Sequence, residues 1–208
     1  MVIPFRIALR SVMLVLIAVS VIAFLAHSAS ATYDGKYLDK HSDKCLDKWA
    51  DKPWDKWADK PVKKIDVEPI KFHLAQVIVS NKNSETHYNQ TALEELGVYR
   101  MTSKTPWRDE ETIFEGVMLH DLLAEHSLEN EHEIKIVAEN DYAVTLPQKA
   151  WMCAAAMIAT RVDGQAHKRR ARGPLQIVFP MSANAEYGKQ DYLRYWVWML
   201  ARIEPLDE

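Results

Sequence analysis

Two cysteines and eight histidines are the side chains here best suited to hold a metal or act as nucleophiles. Their placement argues for neither. No CxxC pair or Cys/His cluster has zinc-ligand spacing. His120 and His126 are six apart, which does not put them on one helix face. His167 is expected on the surface. Met152, Met157, Met181 and Met199 read as core residues rather than ligands. An oxidising compartment would permit a bridge between Cys45 and Cys153, and the sequence leaves it open. The run Lys168-Arg169-Arg170 reads as a solvated loop. The formal net charge of the 208-residue chain is −3, which gives no basic face for nucleic acid.

The elements that must position these residues are short. Residues 73–79 alternate and carry β-branched side chains, a strand signal. Asn89-Gln90-Thr91 leads into a helix over 92–96, capped by Asn or Thr and stopped by Gly97. Strands are predicted over 98–102, 112–117, 133–138, 142–146, 157–162, 175–179 and 195–203. A short helix over 119–125 places Leu119, Leu122 and Leu123 on one face. Asp163-Gly164 marks a turn. Many short strands with a few short helices predict an α+β fold with mixed sheets.

The first 64 residues read differently. Arg6 and Arg10 precede an apolar run over 12–25 broken only by Ser20, and Ala29-Ser30-Ala31 offers small residues for cleavage. Residues 1–31 are therefore expected to be a Sec-type signal peptide and the protein to be periplasmic. The apolar run is short for a membrane span of about 20 residues. No Arg-Arg pair marks a twin-arginine leader, and no Cys follows the run to carry a lipid. Removing a leader with two arginines and no acid takes 26 basic residues to 24, against 29 acidic, a net of −5. Residues 32–64 form a low-complexity Asp-Lys-Trp segment in which DKWADKP occurs at 47–53 and again at 55–61. Its scarcity of branched apolar residues predicts a solvated linker. Trp49, Trp54 and Trp57 leave a docking role open. The folded domain is expected over 65–208.

Five stretches in order, FEGVMLHDLL, NDYAVTLP, ATRVDGQ, RGPLQIVFP and WVWMLARIEP, resemble the molybdopterin-binding domain of the sulfite oxidase superfamily. The resemblance covers about 65–205. It implies that family's α+β fold of mixed sheets and short helices.

Departures from the family pattern bear on function. Catalytic members hold molybdenum through a Cys thiolate in the stretch matching Tyr99 to Pro106, YRMTSKTP, which has no Cys. Met101 or Thr102 stands near that position, and neither replaces a thiolate on a high-valent metal. The family's cations are replaced by Val197 and Gln176. A Sec leader would also carry the chain across the membrane unfolded, without a cofactor inserted in the cytoplasm. The chain thus looks like the short periplasmic members that bind a free, reduced pterin with no molybdenum and no catalysis. In those, the loaded protein regulates a membrane partner, a GGDEF/EAL cyclic-di-GMP enzyme or a sensor kinase.

The resemblance places the pterin site at Tyr142, with Asn140 and Asp141 beside it. Trp107, Tyr195 and Trp196 supply aromatic surface, together with Trp198. Arg100, Thr102, Arg172 and Arg194 complete the expected set. A pterin needs aromatic faces to stack on and a carboxylate or amide for its amino-pyrimidinone edge. Asp141 has a second reading as a turn residue, and Trp196 or Trp198 has one in the core. Other functions compatible with the sequence are a molybdopterin-dependent oxidoreductase and a ligand-free interaction subunit.

Overall fold

A computed structural model describes residues 62–71 and 75–206. The expected signal peptide, Cys45 and the Asp-Lys-Trp repeats lie outside these residues. The strands are β1 Val62–Ile65, β2 Gln76–Ser80, β3 Glu85–Asn89, β4 Val98–Thr105, β5 Arg108–Met118, β6 Glu133–Ala138, β7 Ala143–Pro147, β8 Met157–Val162, β9 Gln165–Ala166, β10 Gln176–Val178 and β11 Leu200–Pro205. Four short helices intervene: α1 Gln90–Glu95, α2 Leu119–Glu125, α3 Lys149–Met152 and α4 Gln190–Leu193. The mixed α+β class expected from the sequence is what the chain adopts.

Local sequence explains each element type. In β4 the period-2 pattern buries Met101, Ser103 and Thr105 and turns Arg100, Thr102 and Lys104 outward. In α2, Leu119, Leu122 and Leu123 fall on one stripe and all three are buried. The Asn89 side chain caps α1 by accepting from the Ala92 N–H at 2.9 Å.

The strands form two sheets, ordered β1-β4-β5-β8-β10, with β9 beside β8, and β3-β2-β11-β6-β7. β11 runs parallel to β2 and antiparallel to β6. One apolar core draws Met101, Val117 and Ile158 from the first sheet and Val77, Ile134 and Ile203 from the second. At Gly116 the strands β5 and β8 come so close that an added Cβ would lie 2.0 Å from the Ile158 carbonyl oxygen. A buried ion pair ties α1 to β8. The Arg161 guanidinium donates to Glu94 at 2.6 and 3.0 Å, and the same carboxylate accepts from the Thr160 hydroxyl and the Ile70 N–H.

The structure shifts several expectations. Paired structure begins at Val62, three residues before the expected boundary, because Val62 is buried and pairs with Met101. The last strand starts at Leu200 rather than Tyr195. Residues 195–200 first bond to the chain around β10, through Ile177 N to Val197 O (2.8 Å) and Leu200 N to Leu175 O (3.0 Å), and then cross to the second sheet. That crossing breaks the strand alternation expected of Trp196 and Trp198. β3, α3 and α4 had no sequence prediction.

Candidate ligand-binding site

The crossing segment 193–199, the β4–β5 turn and the β6–β7 turn are distant in sequence and meet in space. The β6–β7 turn is closed by Ala138 N donating to Tyr142 O (2.8 Å) and Asp141 N to Ala138 O (3.1 Å). Asp141 takes φ +63° there, a left-handed conformation that Asp tolerates better than most residues. Glu139 N donates to Met199 O (2.9 Å), and Met199 N donates to Arg172 O (3.3 Å). An ion pair from Arg169 to Glu139 spans the same gap. These contacts tie the β6–β7 turn, the crossing segment and residues 169–172 together.

Between them lies a cavity of about 260 Å³, a little below the usual range of roughly 300–1,000 Å³ for small-molecule pockets. Trp107, Asn140, Tyr142, Arg194, Trp196 and Trp198 line it, with Met199 and Leu193 closing the apolar floor. The Trp107 ring meets Trp198 edge-on at 4.9 Å and Trp196 at 6.0 Å. The Tyr142 hydroxyl donates to the Arg194 carbonyl at 3.0 Å, although 43% of the residue is exposed. Burial raises its phenol pKa, opposed by the Arg194 charge. The indole N–H of Trp198 is buried with no hydrogen-bond partner. Leaving such a donor unpaired costs roughly 1–3 kcal/mol.

On the other side of Trp107 is a second cavity of about 370 Å³, with Thr105, Arg108, His167, Arg170, Arg172 and Gln176 in its wall. Arg172 belongs to both surroundings. Its guanidinium carbon sits 4.4 Å from the Trp107 ring centre and 4.5 Å from that of Trp198. Burial, and then the nearby Arg108 charge, lower its pKa.

Among the described residues six non-glycines have positive φ; of these Met199 lines the first cavity, Arg172 the second, and Asp141 sits at the β6–β7 turn. Such conformations cost on the order of 1–3 kcal/mol each and cluster at functional sites.

The expected site residues divide into three groups. Trp107, Asn140, Tyr142, Arg194 and Trp196 come together around the first cavity. Arg172 joins through Trp107. Asp141 is exposed at the turn tip, outside the cavity wall, so its turn role is the one observed. Tyr195 is buried away from the cavity, where its hydroxyl accepts from Arg194 at 2.9 Å. Arg100 and Thr102 do not belong to the site: the β4 alternation points both outward, and Arg100 pairs with Glu115 at 2.6 Å. Trp196 is only 3% exposed and donates its indole N–H to Tyr187 O at 2.7 Å, so it serves the core as well as the wall. His167, expected on the surface, is 2% exposed and bonds Gln176 at 3.0 Å. A side chain at Gly173 would collide with its ring and carbonyl at 2.6–2.7 Å, which shows how closely the chain folds over it. Sequence reasoning missed Arg108, Thr105, Gln176 and Arg170 as cavity residues. The only signal available was the basic run at 168–172.

In the stretch Tyr99 to Pro106, Met101 is in the core and Thr102 faces outward. Cys153, the one cysteine among the described residues, is disulfide-bonded. No group of three or more His, Cys, Asp or Glu among the described residues is placed to hold a metal ion. Compared with known proteins, the chain matches no protein-family model and no curated sequence.

Proposed function

We propose that this chain is a non-catalytic, sulfite-oxidase-like periplasmic protein that binds a free reduced pterin and thereby regulates a membrane signalling partner, a GGDEF/EAL cyclic-di-GMP enzyme. One observation carries the reading. Four aromatic side chains from three separate segments, Trp107, Tyr142, Trp196 and Trp198, border one small cavity that Asn140 also lines. A flat heterocycle stacks on such faces and pairs its polar edge with such groups. The disulfide at Cys153 is in keeping with export to an oxidising compartment.

The test is mass spectrometry of small molecules released by denaturing protein purified from its host, followed by fluorescence titration with tetrahydropterins and oxidised pterins. A stoichiometric pterin, or saturable binding in the micromolar range or tighter, is the expected result. Protein that releases no pterin and ignores all of them at millimolar concentration refutes the reading. Capture of a GGDEF/EAL membrane protein only by the pterin-loaded form tests the signalling step.

A further inference from the structure

Cys153 stands at the C-terminal end of α3, where its N–H donates to Lys149 O at 2.9 Å and the residue is partly exposed. It is disulfide-bonded, and the chain holds one other cysteine, Cys45. Both copies of DKWADKP, with Trp49, Trp54 and Trp57, lie between Cys45 and Val62. Val62 is itself anchored: it is 1% exposed and pairs with Met101.

Strand register sets an upper bound on the span that a bridge would have to cover. Val62 pairs with Met101, Met101 with Phe114 and Phe114 with Val162, so Val62 and Val162 stand three strand spacings apart, about 14 Å. Nine residue steps lead back from Val162 to Cys153, at most about 32 Å of chain. Val62 and Cys153 are therefore within about 46 Å of each other. The seventeen residue steps from Cys45 to Val62 reach up to about 56–61 Å. A bridge within one molecule fits that reach with the domain as it stands.

We propose that Cys153 is joined to Cys45 of the same chain, so that the Asp-Lys-Trp repeats are fastened to the domain at both ends as a loop carrying three indoles. The bridge forms by exchange with a disulfide-bearing oxidant of the compartment. One cysteine thiolate attacks the oxidant and displaces one of its sulfurs, and the other cysteine thiolate then displaces the second. The oxidant leaves as a dithiol, with the two electrons and two protons that the cysteines give up. A loop fixed at both ends costs less to order against a partner than a free tail of the same sequence. The pairing does not depend on the pterin reading.

The experiment takes the full chain purified from its host, blocks free thiols with N-ethylmaleimide under denaturing, non-reducing conditions, and digests it with trypsin. Mass spectrometry should find the peptide from Cys45 to Lys48 joined to that from Ala150 to Arg161, and reduction should release the two. Two alkylated cysteines in the wild-type protein overturn the proposal, as does a Cys45–Cys45 or Cys153–Cys153 peptide joining two chains. The map uses the unaltered chain, so it decides the pairing even where a variant fails to fold. Cys45→Ser should leave Cys153 open to alkylation in a monomer, and Cys45→Ser and Cys153→Ser should each lower Tm by roughly 4–16 °C, because the unfolded chain is no longer cross-linked. Two variants that melt within 1 °C of wild type overturn the fastening of the segment to the domain.

Discussion

Replacing Trp107 by Ala removes the ring that both cavities share, and the structure sets the size of the effect. Trp107 is 41% exposed, so it contributes to the core only in part. Its edge contacts with Trp198 at 4.9 Å and Trp196 at 6.0 Å are worth about 0.5–1.5 kcal/mol each. The Arg172 guanidinium at 4.4 Å adds about 0.5–1 kcal/mol at such a partly exposed site. After allowance for exposure, the domain should lose on the order of 1.5–3 kcal/mol, a fall in Tm of roughly 4–12 °C, and remain folded at 25 °C. The ligand effect is separate. A stacked heterocycle loses about 1–3 kcal/mol when its aromatic partner goes, which is roughly a five- to 150-fold rise in Kd. Trp107→Phe keeps a smaller ring and should recover part of both. The assay is fluorescence titration with a tetrahydropterin, excited outside the tryptophan band, beside thermal melts of the three proteins. Unchanged affinity in a folded Trp107→Ala protein would refute the assignment of the slot.

Other substitutions separate wall from core. Trp196→Ala should cost about 3–5 kcal/mol by emptying a buried site, so a melt that stays within 1 °C of wild type contradicts its core role. Tyr142→Phe removes only the half-exposed bond to Arg194 O and should change stability by less than about 1 kcal/mol; a greater loss in denaturant unfolding means that the hydroxyl holds the turn. Burial alone would raise the Glu94 carboxyl pKa, but hydrogen bonds from Arg161, Thr160 and Ile70 and the guanidinium charge outweigh it and hold it below the ordinary value. Its contribution is therefore present above the unfolded carboxyl pKa near 4.3, and it disappears as pH falls through the lower folded value. Glu94→Gln should cost about 3–5 kcal/mol at neutral pH, because it leaves Arg161 largely buried and uncompensated, and its unfolding curve should lose acid sensitivity in that window. Burial lowers the His167 pKa, with the Gln176 bond opposing, and burial also lowers that of His126. Both stay neutral in the folded state while the unfolded chain takes up protons below about 6.5. Stability should thus be complete above pH 6.5 and decline as pH falls below it, and a Tm that is flat from pH 7.5 to 5 rules this out.

Period and capping made much of the fold legible. Leu119, Leu122 and Leu123 mark α2 by burying one face, and Glu133–Ala138 and Met157–Val162 are strands at the predicted bounds, short apolar runs buried on both sides. The segment 195–199 misled the reading because it reads as alternating, yet its backbone partners belong to a different sheet from those of Leu200 onward. No local pattern records such a change of partner. β3 escaped for a related reason: Glu85–Asn89 has an exposed, polar composition and is a strand because Val77 and Val79 on β2 offer it an edge.

The same distinction runs through the site. Tyr142, Asn140, Trp107, Arg194 and Trp196, named from the family resemblance, line one cavity. Arg100 and Thr102 lie outside both cavity walls because they occupy the outward face of β4, and one-residue parity in a strand inverts that face. His167 failed more instructively. It stands in a run of charged residues that reads as solvated, but the turn at Gly173 folds that run back over β8 and β10, so His167 and Gln176 meet nine residues apart in the interior. A polar residue in a basic loop is ordinarily surface. What makes this one different is the closure of the chain at Gly173, which buries the imidazole against the Gln176 amide beside three arginines.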